Sequence, residues 1–363
     1  MKLLVCAMEH SSNLHLAALK KELPDSVELI GVFDKKLGTP MIDLSALAIM
    51  GFIDALKKLR FFFKLRDDMV SLAKDADKIL LMDSSGFNLP LAKSLKKAYP
   101  EKEIIYYILP QAWAWKKGRI PVLEKTIDHL ASILPFEKDY YSKNAAIEYV
   151  GHPLLDEIST FKDTLTCAVR NEEVLLGCNN SITYMPGSRS SEIKRLMPLF
   201  HELRSHFKQE AIIVIPPSFS KAKINELYGN LSDFTITHDS HDALYKSDFA
   251  FICSGTATLE AALIGTPFIL SYIAKPLDYM IARSLVKLEY VGLSNIMFDK
   301  MSHRALHPEL LQDDVTIEKL LDAYENMDKE AFLSDAITLR NYLQKGSSKR
   351  VAEIILEGII DEN

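Results

Sequence analysis

The chain has 363 residues, of which 25% are charged and 48% hydrophobic, and its formal net charge is −6 at pH 7. This length predicts two domains that each bury a core, and the acidic balance argues against general nucleic-acid binding. The 4 cysteines are scattered without a Cys-x-x-Cys pair, which indicates neither a zinc site nor a disulfide framework and fits a reducing cytoplasm. The first apolar run is too short for a signal peptide and no run reaches about 18 residues, so we expect no membrane-spanning segment.

Short apolar runs alternate with segments of helical spacing along the whole chain. This alternation predicts an α/β fold with two mostly parallel sheets, one in each half. Ligands of such folds bind at the carboxyl ends of the strands, so we expect the site in a central cleft that both halves face. The predicted strands are 3–8, 27–33, 79–82 and 104–109 in the first half, and 182–185, 212–215, 234–237, 249–253 and 268–272 in the second.

The boundary between the halves is predicted within residues 148–181, which end in the loop-like composition of 177–181. We therefore expect a first domain over 1–170 and a second over 171–344. An apolar stripe over 351–360 predicts a final helix, and we expect residues 345–363 to complete the first domain.

The stretch 249–270 reads as a strand, a small-residue turn and a helix. Ser254, Gly255 and Thr256 form the turn, which places unpaired N–H groups and a partial positive charge at a strand end, suitable for a phosphate. Glu260 lies one helical turn beyond Thr256, where its carboxylate can accept from sugar hydroxyls. The alternative is a solvated glutamate on a helix with an ordinary cap.

A second turn of this kind follows the strand at 182–185. Gly187, Ser188 and Arg189 combine a flexible backbone, a hydroxyl and a permanent positive charge at a helix start. This combination suits a diphosphate leaving group, whose developing charge arginine can neutralise without a metal ion. The alternative is an exposed turn with a surface arginine.

Polar residues also follow the strands of the first half. Asp83 comes directly after its strand, where a carboxylate can take a proton from an attacking hydroxyl. Its alternative role is to cap the helix that begins near Phe87. Glu9 follows the first strand and has the alternative of a solvated loop acid. For His152 a hinge or packing role is the alternative.

The stretch 49–70 differs from the rest, because aromatic residues and five cations cluster there in an acidic chain. A basic, aromatic-rich amphipathic helix is typical of a segment that lies in the membrane interface. The alternatives are a core helix with a solvated basic edge and a partner surface in an oligomer. The residues predicted to contact the membrane are Phe52, Phe61, Phe62, Phe63 and Lys64.

The sequence lacks the common dinucleotide, P-loop, zinc-hydrolase and serine-hydrolase motifs, so those classes lose their usual support. Pattern alone favours a two-lobed nucleotide-sugar enzyme, with a transferase as the preferred interpretation. The chain also resembles the lipid-A-disaccharide synthase family, inverting glycosyltransferases of bacterial outer-membrane biogenesis. The segments that carry the resemblance run almost end to end: MGFI at 50–53, Asp83 with Phe87 and Asn88, PQAWAW at 110–115 with Arg119, LPFE at 134–137, GHP at 151–153, MPGSRSSEI at 185–193, SGTATLE at 254–260, KPLDYMIA at 275–282 and YVGLSN at 290–295.

The resemblance implies a GT-B fold, meaning two Rossmann-like domains, and a reaction without metal or other cofactor. UDP-2,3-diacylglucosamine would donate its sugar to the 6-hydroxyl of 2,3-diacylglucosamine 1-phosphate, giving a β(1→6) disaccharide and UDP. Both substrates are lipids, which implies peripheral association with the cytoplasmic face of the inner membrane. A second copy of the chain is a further possible partner, which would form a homodimer, and we expect no binding of nucleic acid.

The resemblance also implies roles for single residues. Asp83 becomes the base and Glu9 a second acid near the acceptor. The donor side comprises Gly187, Ser188, Arg189, Ser254, Gly255 and Thr256 around the diphosphate, Glu260 at the ribose and Asn295 as a further site residue. The acceptor side comprises Ser11, Asn88, Trp115 and His152.

The first loop departs from the family pattern Gly-Glu-Ala-Ser-Gly-Asp, because residues 8–13 read MEHSSN. Ser12 replaces a glycine that permits positive φ, so we expect a reshaped loop, and Asn13 cannot act as a base. Two rival functions remain at this point: another UDP-sugar enzyme on the same scaffold, such as an epimerase, and a non-catalytic UDP-sugar-binding protein at the membrane surface.

Overall fold

The computed structural model describes residues 1–43, 55–114, 116–164, 180–253, 255–275 and 289–358, with the backbone alone for 55–58. The chain forms two compact units. The first comprises Met1–Glu157 with Leu343–Asn363, and the second comprises Ile158–Tyr342.

The first unit is built on a parallel sheet, with helices on the connections between its strands. Its strands are β1 (Lys2–Ala7), β2 (Glu28–Phe33), β3 (Ile42–Asp43), β4 (Lys78–Met82), β5 (Ile104–Tyr107), β6 (His129–Ser132) and β7 (Ile147–Tyr149), in the spatial order β3-β2-β1-β4-β5-β6-β7. Its helices before the crossing to the second unit are α1 (His10–Glu22), α2 (Ala55–Leu72), α3 (Ser85–Ala98), α4 (Ile120–Thr126) and α5 (Pro153–Glu157).

The four strands predicted for this half are confirmed, whereas β3, β6 and β7 were missed. Each missed strand has four residues or fewer, and β6 includes a histidine and a serine. Segments this short show no clear alternation or apolar run, and it is pairing with their neighbours that makes them strands.

The order of the strands reverses between β1 and β4, which pair in register from Leu3 with Lys78 to Ala7 with Met82. The two strands therefore end side by side. In open parallel sheets this reversal opens a crevice at the carboxyl ends of the strands, where ligands bind.

The second unit repeats the same arrangement. Its strands are β8 (Ser181–Met185), β9 (Glu210–Val214), β10 (Thr235–Thr237), β11 (Phe249–Ile252), β12 (Phe268–Tyr272) and β13 (Glu309–Leu311), in the order β10-β9-β8-β11-β12-β13, and all recorded pairings are parallel. The reversal here lies between β8 and β11. Its helices are α6 (Ser190–Arg204), α7 (Lys221–Tyr228), α8 (Ser240–Lys246), α9 (Thr256–Ile264), α10 (Leu293–Ser302), α11 (Ile317–Glu325) and α12 (Lys329–Leu343).

The five strands predicted for this half are confirmed, and β13 was missed. The core beneath the sheet is rich in aromatic rings. Tyr184 of β8 stacks on Phe251 of β11 at 5.6 Å between ring centroids and meets Phe200 of α6 edge-on at 5.5 Å. Aromatic packing of this kind holds the strand ends, and so the turns beyond them, in fixed positions. None of the described helices is long and apolar enough to cross a membrane.

The last helix, α13 (Ser347–Leu356), packs on the first unit. Val351 and Ile355 are buried in the same core as Leu16 and Leu19 of α1. Asp156 accepts the N–H groups of Gly346 at 2.7 Å and Ser348 at 2.8 Å, which satisfies donors at the start of α13. Lys78 closes the other end by donating to the carbonyl of Glu357 at 2.8 Å.

Candidate active site

Two carboxylates lie where the chain leaves β1 and β4, at the reversal of the first sheet. Glu9 is the N-cap residue of α1, and Asp83 follows β4 directly. The hydroxyl of Ser84 donates to Glu9 Oε1 at 3.3 Å, so the two loops are in contact. The structure thus brings together the two acids that the sequence singled out.

The backbone at Asp83 is strained. Asp83 and Ser84 both have left-handed φ angles, of 48° and 41°, which cost non-glycine residues about 1–3 kcal/mol each. The buried Asn88 side chain donates to the carbonyls of Met82 and Asp83 at 3.0 Å, and the Tyr106 hydroxyl also donates to the Asp83 carbonyl. These bonds hold the backbone of the strained turn, which carries the half-buried Asp83 side chain.

The N-cap position of α3 is occupied by Ser84, so Asp83 is not the capping residue that the alternative required. Asn88 was predicted on the acceptor side, but its side chain is fully buried and directed at the backbone of the Asp83 turn. Its geometry therefore favours an indirect role, through Asp83, over contact with a ligand.

The altered first loop is well ordered by its own side chains. Ser12 lies in the first turn of α1, where its hydroxyl and the Glu9 backbone bond reciprocally, and it needs no positive φ. The Asn13 amide donates to the carbonyls of Ala7 at 2.9 Å and Glu9 at 2.8 Å, while its oxygen accepts the Asp34 N–H at 2.7 Å. A carboxylate could not make those donations, so Asn13 suits this loop.

The other residues predicted on the acceptor side differ in their exposure to solvent. Ser11 is exposed in the first turn of α1. His152 is buried, and burial, with a further contribution from His15, lowers its pKa to about 3. Its Nδ1 accepts the Leu154 N–H at 3.3 Å, a geometry that favours the packing alternative. Trp115 lies outside the described residues.

In the second unit, the Gly187 turn packs against the end of β11. Gly187 has a φ of 98°, and a Cβ added there would lie 2.6 Å from Glu192 Oε2 and 3.3 Å from Cys253 Sγ. Only glycine fits this space and this backbone. The two anion-binding turns predicted from sequence therefore follow adjacent strands at the reversal of the second sheet.

Arg189 is held on one side and presented to solvent on the other. Its Nη1 donates to Glu192 Oε1 at 2.7 Å, while its side chain is 76% exposed and that of Glu192 only 7%. The hydrogen bond and charge of Glu192 raise the pKa of Arg189. Ser188 beside it is exposed. This arrangement can bind an anion with a guanidinium of fixed position.

The turn after β11 is open. Gly255, the N-cap residue of α9, has a φ of 120°, and a Cβ there would meet no described heavy atom within 4 Å. Thr256 next to it is exposed. The start of α9 thus offers its N–H groups to a ligand. Ser254 lies outside the described residues.

Glu260 is held by the neighbouring helix α8. Its Oε2 accepts from the Ser240 hydroxyl at 3.0 Å and lies 3.7 Å from His241 Nε2, and its side chain is 16% exposed. It is therefore not the freely solvated glutamate of the alternative interpretation. One carboxylate edge has a defined orientation.

Asn295 is directed into the second unit. Its side chain is fully buried, donates to the His307 carbonyl and to Glu309 Oε1 at 2.9 Å, and accepts the N–H groups of Leu306 and His307. These four bonds use the hydrogen-bonding capacity of a primary amide. The geometry therefore favours support of the loop at Gly292, whose N–H donates to Glu309, over direct contact with a ligand.

Sequence reasoning did not single out Tyr272, the half-buried last residue of β12, whose strand pairs with β11. Burial and the charges of Glu192 and Cys253 raise its pKa, and Arg189 opposes them. A polar residue at the carboxyl end of a strand is the signal that could have identified it.

The helix predicted to contact the membrane is only partly exposed on its aromatic side. Phe61 and Phe62 pack against the first core, and Phe62 meets Phe87 at 5.9 Å between centroids. Leu59 and Phe63, one turn apart, are 53% and 50% exposed. Lys64 is also exposed and pairs with Asp68. The helical period thus places Phe61 and Phe62 inward, and Phe52 lies outside the described residues.

Two parallel sheets, each with a reversal of strand order at its centre, form two Rossmann-like domains of the GT-B class, which confirms the predicted fold. The Methanocaldococcus jannaschii UDP-GlcNAc 2-epimerase, solved in complex with UDP-GlcNAc and UDP, has a similar fold, with a TM-score of 0.60 and 15% identity over 99% of this chain and 100% of that chain.

Sequence comparison identifies the family of this chain. This chain belongs to the lipid-A-disaccharide synthetase family, whose sequence profile matches residues 3–355. The lipid-A-disaccharide synthase of Helicobacter pylori (strain G27) is 46% identical over 363 residues, covering 96% of each chain. The synthase of Campylobacter jejuni (strain RM1221) is 46% identical over 371 residues, covering 98% of this chain and 99% of its own.

Proposed function

We propose that this chain transfers 2,3-diacylglucosamine from UDP-2,3-diacylglucosamine to the 6-hydroxyl of 2,3-diacylglucosamine 1-phosphate. The products are a β(1→6) disaccharide 1-phosphate and UDP. The observation that carries this proposal is the 46% identity, over 96% of the chain, to a protein named lipid-A-disaccharide synthase.

In the proposed reaction, the first unit binds the acceptor and the second binds the donor. Asp83 takes the proton from the 6-hydroxyl of the acceptor. The oxygen of that hydroxyl attacks the anomeric carbon of the donor from the face opposite UDP. The bond between that carbon and the diphosphate oxygen breaks, and the electron pair leaves with UDP. One displacement inverts the anomeric configuration. Glu9 orients the acceptor beside Asp83.

The charge that develops on UDP is neutralised by Arg189 and by the N–H groups at Gly255 and Thr256, so the step requires no metal ion. Gly187 and Ser188 let the backbone approach the diphosphate. Glu260 accepts from the ribose hydroxyls with the orientation that Ser240 supports. These roles rest on the placement of the two turns at the reversal of the second sheet.

The proposal is tested by mass spectrometry of products formed by the purified protein from both acylated glucosamines. The expected result is the disaccharide 1-phosphate together with UDP in equal amounts. Release of UDP that does not depend on the acylated acceptor would favour an epimerase or another transferase. Nucleotide binding without a disaccharide would favour a non-catalytic binding protein.

We expect Tyr106→Phe to lower kcat by about 5-fold, because the Asp83 carbonyl loses a hydrogen bond with a net contribution of about 1 kcal/mol. The KM for the UDP-sugar should stay unchanged. Steady-state rates at varied donor concentration measure kcat and this KM separately. Tyr107→Phe is the matched control, since its hydroxyl contacts Ser347 at 2.7 Å instead of the Asp83 turn. An equal loss of kcat in both variants would contradict a role for Tyr106 in holding Asp83.

We also propose that α2 lies against the cytoplasmic face of the inner membrane. Leu59 and Phe63 form an exposed apolar pair, and Arg60 and Lys64 are exposed on the same helix. Apolar side chains that enter the bilayer interface beside cations favour binding to anionic lipid. Phe61 and Phe62 support this surface from the core side.

The double variant Leu59→Ser, Phe63→Ser should bind anionic vesicles at least about 10-fold more weakly, because each buried apolar side chain contributes about 1.5–3 kcal/mol. Co-sedimentation with vesicles measures the binding. Ile236→Ser is the control, since Ile236 is 49% exposed in the second unit. Unchanged vesicle binding with a changed sedimentation coefficient would assign α2 to an oligomer interface instead.

A further inference from the structure

A basic turn lies beside the strained Asp83 turn. It comprises Lys116, Lys117 and Arg119, and it connects the loop after β5 to α4. Residues 104–123 contain no acidic side chain, so this turn concentrates positive charge in a chain whose net charge is −6. Lys116 has a left-handed φ of 56°, and its carbonyl accepts the Arg119 N–H at 2.9 Å, which closes the turn.

Arg119 links this basic turn to the candidate base. Its Nη1 donates to the Ser85 hydroxyl at 2.7 Å, two residues beyond Asp83. Burial and the charge of Asp83 raise the pKa of Tyr106, and the charge of Arg119 opposes them. The Arg119 guanidinium thus contacts the helix that follows Asp83, while the Tyr106 hydroxyl donates to the Asp83 carbonyl.

The two lysines extend the charge towards solvent. Lys116 and Lys117 are exposed, and Lys117 Nζ lies 5.8 Å from the centre of the Tyr140 ring, an arrangement that restrains its position. The three cationic side chains of the basic turn lie within four residues, an arrangement that suits a compact polyanion. A guanidinium can bind the phosphorylated end of a small sugar, while a carboxylate base nearby can accept a proton from a hydroxyl at its other end.

We infer that the basic turn binds the phosphate monoester of the acceptor, with Arg119 as the principal contact. This inference rests on the proposed function, in which the acceptor carries a 1-phosphate. A phosphate monoester has a charge of about −1.5 to −2 at pH 7 and oxygens that match the planar guanidinium fork. Binding the phosphate here directs the other end of the sugar, which carries the 6-hydroxyl, towards Asp83.

The test compares two acceptors, 2,3-diacylglucosamine 1-phosphate and the same lipid without its phosphate. The wild-type chain should use the phosphorylated acceptor with a kcat/KM about 10- to 100-fold higher, the range expected for hydrogen bonds between charged groups. Arg119→Gln should remove most of this preference, because kcat/KM should fall by a similar factor more for the phosphorylated acceptor than for the other acceptor. Arg119→Lys should recover part of the loss, because a point charge cannot form the fork.

Lys117→Gln provides a second variant at an exposed position, should Arg119→Gln fold poorly. It should produce a smaller loss, about 3-fold, again only with the phosphorylated acceptor. Lys125→Gln is the matched control, an exposed cation in the last turn of α4, and it should change neither rate.

Three results have distinct meanings. Equal losses on both acceptors in Arg119→Gln would overturn the inference, because the arginine would then act on the Asp83 turn. Equal use of both acceptors by the wild-type chain would also overturn it, while a disaccharide still formed would uphold the proposed function. Absence of any disaccharide from the wild-type chain would refute the proposed function itself.

Discussion

Asp83→Asn lowers turnover by on the order of 10²–10⁴-fold, while the affinity for UDP stays near that of the wild-type chain. Asparagine preserves the size of the side chain and the backbone bonds from Asn88 and Tyr106 to the Asp83 carbonyl. It cannot accept the proton of the attacking hydroxyl. The expected loss therefore lies in kcat, and the KM for the donor changes little.

Product formation under saturating substrates and calorimetric titration with UDP measure the two quantities separately. Asp77→Asn is the matched control, because Asp77 precedes the same strand at its amino end, where its carboxylate accepts the Lys2 N–H at 2.7 Å. Near-normal turnover in Asp83→Asn would remove Asp83 from the role of base. Loss of UDP binding in that variant would indicate a structural effect instead.

Arg189→Gln lowers kcat by on the order of 10²–10³-fold, because the charge on the departing UDP loses its principal cation. The variant should also weaken UDP binding, since the same guanidinium contacts the diphosphate in the bound state. Single-turnover rates and UDP titration report these effects. Lys194→Gln on the same helix, an exposed cation paired with Glu226, is the control.

Glu192 offers a second possible cause of the lost rate in Arg189→Gln, because its carboxylate is buried and pairs with Arg189. Removing its partner leaves a charge without compensation and destabilises the turn. The double variant Arg189→Gln, Glu192→Gln separates the two causes. If the lost rate reflects the missing positive charge, the double variant remains slow but regains thermal stability. Recovery of the rate would show that the unpaired Glu192 was the cause, and would contradict the role of Arg189 in catalysis.

Short-range patterns were sufficient for much of the fold. The apolar runs that became β1, β4, β8 and β11 are buried on both faces of parallel sheets, so they are continuous and easily seen. The turns after them contain glycine, serine or a charged residue, which is local information as well. This is why the polar residues at both reversals could be selected from the sequence.

The orientation of side chains could not be predicted in the same way. Asn88 and Asn295 were predicted on the acceptor and donor sides, and the sequence could not show that the Asn88 amide donates to two backbone carbonyls or that the Asn295 amide bonds to His307 and Leu306. Phe61, Phe62 and Phe63 are consecutive and look alike in sequence. Only packing of α2 on the first core separates the exposed Phe63 from its two neighbours.

By itself the sequence determined nine of the thirteen described strands, the two turns predicted to bind an anion and the acids at the strand ends, because each depends on residues adjacent in the chain. The tertiary structure decided the rest. The left-handed turn at Asp83 is held by Tyr106 from the neighbouring strand, and Gly187 is required by Glu192 and Cys253. The contacts made by Tyr106 and Cys253 join residues far apart in the chain, so the sequence alone could not show them; they form only when the strands lie side by side.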